Sequence, residues 1–377
     1  MLKFAKWLPL CIILCSGASG CTGGETREAE EIAPGLQYIR IIQHAVPNTI
    51  HILELDWPST RWTVKAVKAG DHIYDTEPLT KVAASILGTI AAINGDFFSQ
   101  EGSPSGALVS DGVWIKNGAE IWSSVGFTQS GRVYFEAIRP SAHFKAPGER
   151  VTSVQGVNRP RLDNEIILYN AYYGRSTATN NFGTEVRLSV RKIPEAWDRP
   201  IEAIVREVDS AQGDHPLDDS TWILSGHGAA NMQLLRRMRP GMVVRIDMES
   251  GLPHRDLRQL IGAYPVLVRE KKSILDGALL NKEFARNANA RTAIGYSEAR
   301  KKLILVCVDG KQANYSVGMN LTELADLMIA LGCESASNLD GGGSTTMFIR
   351  DRLVNRPSDS GLERPISDAL VIVSADN

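Results

Sequence analysis

The chain has 377 residues, 41 Lys and Arg against 43 Asp and Glu for a net charge of −2, and 43% hydrophobic residues. That length exceeds the usual single domain and leaves ample apolar material for a core. The charge balance gives no sign of a nucleic-acid partner, and the scattered histidines and cysteines form no zinc-type cluster.

Lys3 and Lys6 precede an apolar run from Trp7 to Cys15 and the small residues Ser16 to Gly20, the layout of a secretory signal and too short for a permanent membrane span. Ala18-Ser19-Gly20-Cys21 resembles a bacterial lipobox. It implies cleavage before Cys21, lipidation of its thiol, and an exported protein held on the cell-envelope membrane by a lipid anchor; ordinary signal cleavage is the plainer alternative. Residues 21–35 read as a flexible tether, because Gly23-Gly24 leads into a polar, Glu-rich stretch that cannot bury a core. With the leader gone, only Cys307 and Cys333 stay in the folded part, both in apolar contexts that suit buried thiols better than a disulfide.

Strand signals follow at Leu36 to Gln43, Thr49 to Asp56 and Trp62 to Ala69, where β-branched and aromatic residues alternate with polar ones. Pro78 to Leu87 has helical spacing, and Ile90 to Ile93 is a short buried strand. Further strands are expected at Gly126 to Thr128, Val133 to Phe135, Ile166 to Tyr169 and Val186 to Val190. The last third predicts a βαβ-like alternation: strands Ala293 to Tyr296 and Leu303 to Val308, a helix Leu321 to Leu331 stopped by Gly332, and a strand Ser335 to Leu339. The sum is one large mixed α/β (α+β) domain over residues 36–377, with a mixed β-sheet core, flanking helices and a β-rich N-terminal part.

Two strand-like stretches run into loops built for chemistry: Asn94-Gly95-Asp96, and Asp340 followed by Gly341, Gly342, Gly343, Ser344 and Thr345. Consecutive glycines let the backbone approach a ligand, and their N–H groups can cradle an anion. Asp309-Gly310 closes another strand, so Asp96, Asp309 and Asp340 are the candidate catalytic carboxylates. Arg291 and Arg159 are candidate clamps for a phosphate or carboxylate, and Thr177, with Ser176 and Asn180-Asn181, is a further polar cluster. Each has a plainer reading. Asp309-Gly310 suits a hairpin turn, and either arginine suits a structural ion pair. The glycine run lacks the lysine of a nucleotide P-loop.

These stretches together resemble the phosphodiester glycosidase family. The resemblance rests on Ala92-Ile-Asn-Gly-Asp-Phe-Phe98, Gly106-Ala-Leu-Val109 with Asp111-Gly112, Ile261-Gly262 through Pro265-Val-Leu-Val268, Ala290-Arg-Thr-Ala-Ile-Gly295, Val308-Asp-Gly310, Asn338-Leu-Asp-Gly-Gly-Gly-Ser-Thr345 and Arg364-Pro365-Ile366-Ser367, in that order from about residue 90 onward. It implies hydrolysis of a sugar-1-phosphodiester of the N-acetylglucosaminyl type on a cell-envelope or extracellular glycan. On that view Asp340 is the charged catalytic residue, Gly341 to Thr345 lie near sugar or phosphate oxygens, and Arg291 clamps the phosphate. Asn94 and Asp96 bind sugar hydroxyls, position water, or hold a divalent cation such as Ca or Mg through oxygen ligands. Asp96 stands where animal members of that family have glycine, and Ala263-Tyr264 replace the glycines more usual before Pro265. Two other classes stay open: a surface glycan-binding lipoprotein without turnover, and a metal-dependent phosphodiesterase that breaks the P–O bond.

Overall fold

A computed structural model describes residues 24–118, 122–210 and 212–375. The signal, Cys21 and the first tether residues lie outside the described residues. Most of the expected tether is instead a strand: Glu25–Ala33 pairs antiparallel with Leu36–Gln43 at the edge of an eight-stranded sheet. Its side chains are exposed from Glu25 to Glu31, so polarity marks an edge strand here and not a free segment.

The molecule is β-rich throughout, not mixed α/β. Among the described residues its strands form sheets of eight, eight, five and five, and the single parallel pairing joins Gly156–Val157 to Ile166–Tyr169. The βαβ reading of the last third fails for a topological reason. Lys302–Val308, the helix Leu321–Ala330 and Ser335–Asn338 do follow one another, but Arg291–Ser297 lies between the two strands and pairs antiparallel with both. Periodicity finds elements; it does not say which neighbour slides between them.

Strand alternation sorts side chains into separate cores. Along Lys302–Val308 and Asn48–Asp56, Leu303, Leu305, Cys307, Leu53 and Leu55 face a central core shared with Ile93, Val125, Ile261 and Leu370 from the two five-stranded sheets. Ile304, Val306, Val308, Ile50 and Ile52 face the opposite way, onto Leu321, Leu324, Ala325 and Met328 of the helix. That helix opens with a capping box of Asn320 and Glu323 and stops at Gly332, whose φ is +86°. Residues 141–249 supply a second eight-stranded sheet with its own core around Leu188, Trp222 and Ile246.

Candidate active site

Strand ends from three sheets meet at one place. Thr89–Asn94 delivers Asn94 and Asp96, Ser335–Asn338 delivers Asp340, and Leu257–Gly262 delivers Gly262. Asn94 is fully buried and ties them together. Its Nδ2 donates to the Asp340 carbonyl (2.8 Å), while its Oδ1 accepts from Thr292 Oγ1 (2.8 Å) and the Thr346 N–H (3.1 Å). The Asp340 N–H in turn donates to the Gly95 carbonyl at 2.9 Å. Asn94, expected to touch sugar, spends its amide positioning the Asp340 loop.

Around this knot the acids form a chain of neighbours. The Asp96 N–H donates to Asp368 Oδ1 at 2.6 Å, and both side chains are buried, at 2% and 1% exposure. Asp96 accepts from Trp122 Nε1 at 2.8 Å and from the Gly106 N–H. Burial, and then the charge of Asp368, push Asp96 well above the ordinary carboxylate range. Burial likewise takes Asp368 to about 7, with Asp340 adding to the rise and Lys68 opposing it. Asp340 is raised to about 6, again by burial, with Ser344, the Gly341 N–H and Arg364 pulling the other way. Among the described residues its carboxylate accepts one backbone hydrogen bond, from Gly341 N–H to Oδ1 at 2.8 Å, with the Ser344 side chain close enough to favour its charged form.

The glycine loop needs its glycines. Gly342 has φ +61°, and its N–H bonds the Ala290 carbonyl at 2.8 Å; the Gly343 N–H makes no hydrogen bond to a described residue. A Cβ on Gly343 would meet Arg364 Nη2 at 2.3 Å and Asp359 Oδ2 at 2.1 Å, which places the Asp359–Arg364 ion pair (2.8 Å) against the loop. A Cβ on Gly262 would lie 2.1 Å from Asp96 Oδ2. Several buried polar atoms in this region have no internal partner: Ser344 Oγ, Asp368 Oδ2, Asn338 Oδ1 and Asn289 Oδ1.

Other expected site residues are occupied differently. Arg291 is buried and directs Nε to the Met319 carbonyl (2.9 Å) and Nη2 to the carbonyls of Phe284 (2.7 Å) and Asn287 (2.9 Å), so it braces a loop. Burial lowers it to about 10. Thr345 Oγ1 lies 3.3 Å from Thr292 Oγ1, and the Thr345 carbonyl accepts from Asn355. Asp309 is saturated by His51, Tyr315, Asn355 and the Arg356 N–H. Thr177 bonds Glu185 and the His215 N–H, and Arg159 forms a two-pronged pair with Glu165 at 2.7 Å; both belong to the 141–249 region.

Sequence reasoning missed Asp368, Trp122 and the placement of Arg364. Asp368 has a legible signal, a carboxylate opening the apolar strand Asp368–Ser374 beside Arg364 to Ser367. Trp122 has none, because its partner Asp96 is 26 positions away. Among the described residues, no group of three or more His, Cys, Asp or Glu side chains is placed to hold a metal ion, and no helix is long and apolar enough to cross a membrane.

Two solved structures share the fold at 18% identity: a hypothetical protein from Synechocystis (TM-score 0.70, covering 93% of this chain and 64% of that one) and a protein of Burkholderia pseudomallei (TM-score 0.68, covering 93% and 96%). Over 76 residues the chain is 38% identical to the bovine N-acetylglucosamine-1-phosphodiester alpha-N-acetylglucosaminidase, a stretch that makes up 20% of this chain and 14% of that protein. The family model described as phosphodiester glycosidase matches residues 218–373, which hold Gly262, Arg291, Asp340, the glycine loop, Arg364 and Asp368, while Asn94, Asp96 and Trp122 lie before it. By that match residues 218–373 are similar to the phosphodiester glycosidase family, and the chain spans only a small part of the curated relatives it matches.

Proposed function

We propose that the chain hydrolyses a sugar-1-phosphodiester of the N-acetylglucosaminyl type on an envelope or extracellular glycan, releasing free sugar and a phosphomonoester. The observation that carries this reading is the Asp340 carboxylate, held at a strand end with one backbone hydrogen bond, beside a Gly343 N–H that bonds no described residue and near the Arg364 charge. A negative group and an anion cradle side by side suit a substrate that develops positive charge at a sugar carbon while its phosphate departs.

In the reaction the bond between the anomeric carbon and the bridging oxygen breaks, and the phosphate leaves with the electron pair. Water supplies the hydroxyl at that carbon and releases a proton. Asp340, ionised above about pH 6, stabilises the oxocarbenium character. Phosphate is a good leaving group at neutral pH and needs little help from an acid. Arg364 and the Gly343 N–H face its charge, and the proton kept by Asp96 and Asp368 limits repulsion of the anionic substrate. The lipobox-like Cys21 supports export and lipid anchoring, which labelled-acyl incorporation lost in Cys21→Ser would test.

The test is turnover of UDP-N-acetylglucosamine and a simple α-N-acetylglucosaminyl phosphodiester by the purified protein, beside Asp340→Asn, with and without EDTA. Turnover lost in the variant supports the reading, and insensitivity to EDTA speaks against the metal-dependent alternative. A folded wild type that binds these compounds and never turns them over is a glycan-binding protein.

A further inference from the structure

Four large aromatic side chains gather beside the acids. Trp122 stacks on Tyr264 with centroids 4.7 Å apart and planes 23° apart. Phe97 meets Trp122 edge-on at 5.8 Å and Phe284 at 5.7 Å. None of the four is fully buried: Trp122 and Phe97 join no hydrophobic core, and Tyr264 and Phe284 only border one. Rings of this size left at a surface invite an apolar partner.

Each ring is tied to the site. Trp122 donates to Asp96, Phe97 follows Asp96 in the chain, the Tyr264 carbonyl accepts from Asn338 Nδ2 at 2.8 Å in the strand that delivers Asp340, and Phe284 lies 5.3 Å under the Arg291 guanidinium. Hydrogen bonds run from Trp122 to Asp96 and on to Asp368, the charge of Asp340 is felt at Asp368, and that of Arg364 at Asp340. One end of this row is aromatic and the other cationic.

We propose that the aromatic group is the shelf on which the sugar ring lies, with its phosphate at the Gly343 and Arg364 end, and that it selects gluco-configured pyranoses. This rests on the hydrolase reading above. A pyranose with all hydroxyls equatorial presents flat C–H faces to an aromatic ring while its rim stays free for polar groups; an axial hydroxyl spoils one face and is left without a partner. The electron-rich ring faces also favour the positive charge that grows on the sugar.

The test compares KM with phosphate inhibition. For the α-N-acetylglucosaminyl phosphodiester, Tyr264→Ala is expected to raise KM about tenfold or more, while the inhibition constant of inorganic phosphate moves less than about twofold. Trp122→Phe, which keeps a ring, is expected to raise KM by less than Tyr264→Ala. Phe182→Ala, an exposed residue of the other region, serves as the control that changes neither. An unchanged KM in Tyr264→Ala, or KM and phosphate inhibition shifting in step, overturns the shelf. If wild type turns over no glycosyl phosphodiester, the hydrolase reading fails, and binding tests the shelf by itself. Saturation-transfer NMR should then show methyl α-N-acetylglucosaminide bound in preference to its C4 epimer, methyl α-N-acetylgalactosaminide, by wild type and not by Tyr264→Ala. Equal binding, or none at millimolar sugar, overturns it.

Discussion

Asp309 and Asp340 look alike in sequence, each an aspartate followed by glycine just past the end of a strand, yet the fold uses them in opposite ways. Asp309 is fully buried and satisfied on both oxygens: His51 Nε2 at 3.2 Å and Tyr315 at 2.9 Å on Oδ2, Asn355 Nδ2 at 3.1 Å on Oδ1, and the Arg356 N–H shared between them. His51 is in turn bonded to Tyr38 through Nδ1 at 2.7 Å. Asp340, among the described residues, accepts one backbone N–H and has Ser344 beside it, and burial raises it to about 6. A carboxylate whose lone pairs are all taken holds structure together, whereas one left underused and raised toward neutrality is available for chemistry.

The comparison breaks most visibly by mutation. Asp340→Asn should lower kcat by about a thousandfold or more with Tm nearly unchanged, read by turnover and thermal melting. Asp309→Ala should do the reverse. It strands His51, Tyr315 and Asn355, costs about 3–5 kcal/mol, and shows first as lost soluble protein or a lowered denaturation midpoint. If Asp309→Ala stayed as stable as wild type and lost only activity, the contrast would be wrong.

The two arginines sharpen the same distinction with smaller effects. Arg364, paired with the exposed Asp359, should raise KM about tenfold when changed to Ala and leave stability within about 1 kcal/mol. Arg291→Ala removes the donor to three carbonyls and should cost about 2–4 kcal/mol in a denaturant melt.

The smallest effect concerns pH. Asp340 and Asp368 hold protons more tightly folded than unfolded, so stability from them is full in acid and falls as pH rises from the ordinary carboxylate range toward about 6 and 7. Asp368→Asn keeps an oxygen for the Asp96 N–H and removes that penalty. Its Tm should exceed wild type by about 3 °C at pH 8, with the gap narrowing as pH falls and closing only in the ordinary carboxylate range, about pH 4. The acid limb of kcat/KM should fall near pH 6, where Asp340 takes up its proton.

Much of the fold was legible locally. Leu36–Gln43 and Ile166–Tyr169 match their strand patterns residue for residue, and the helix Leu321–Ala330 was announced by its apolar spacing and by Gly332. Layering was not, because the insertion of Arg291–Ser297 between two strands depends on pairing across the chain. Within the site, Asn94, Asp340 and the glycines were visible from composition, but their division of labour was not. Asn94 reads as a ligand until its partners Thr292 and Thr346 are known, and Asp309 reads as an acid until His51, 258 positions away, is found on it.

Which bond breaks separates a glycosidase from a phosphodiesterase. Hydrolysis of an α-N-acetylglucosaminyl phosphodiester in oxygen-18 water, with mass analysis of the phosphomonoester, asks this directly. Attack at the anomeric carbon opposite Asp340 predicts a phosphomonoester free of label, formed by wild type and not by Asp340→Asn. Label in the phosphate, or turnover that survives Asp340→Asn, would contradict it.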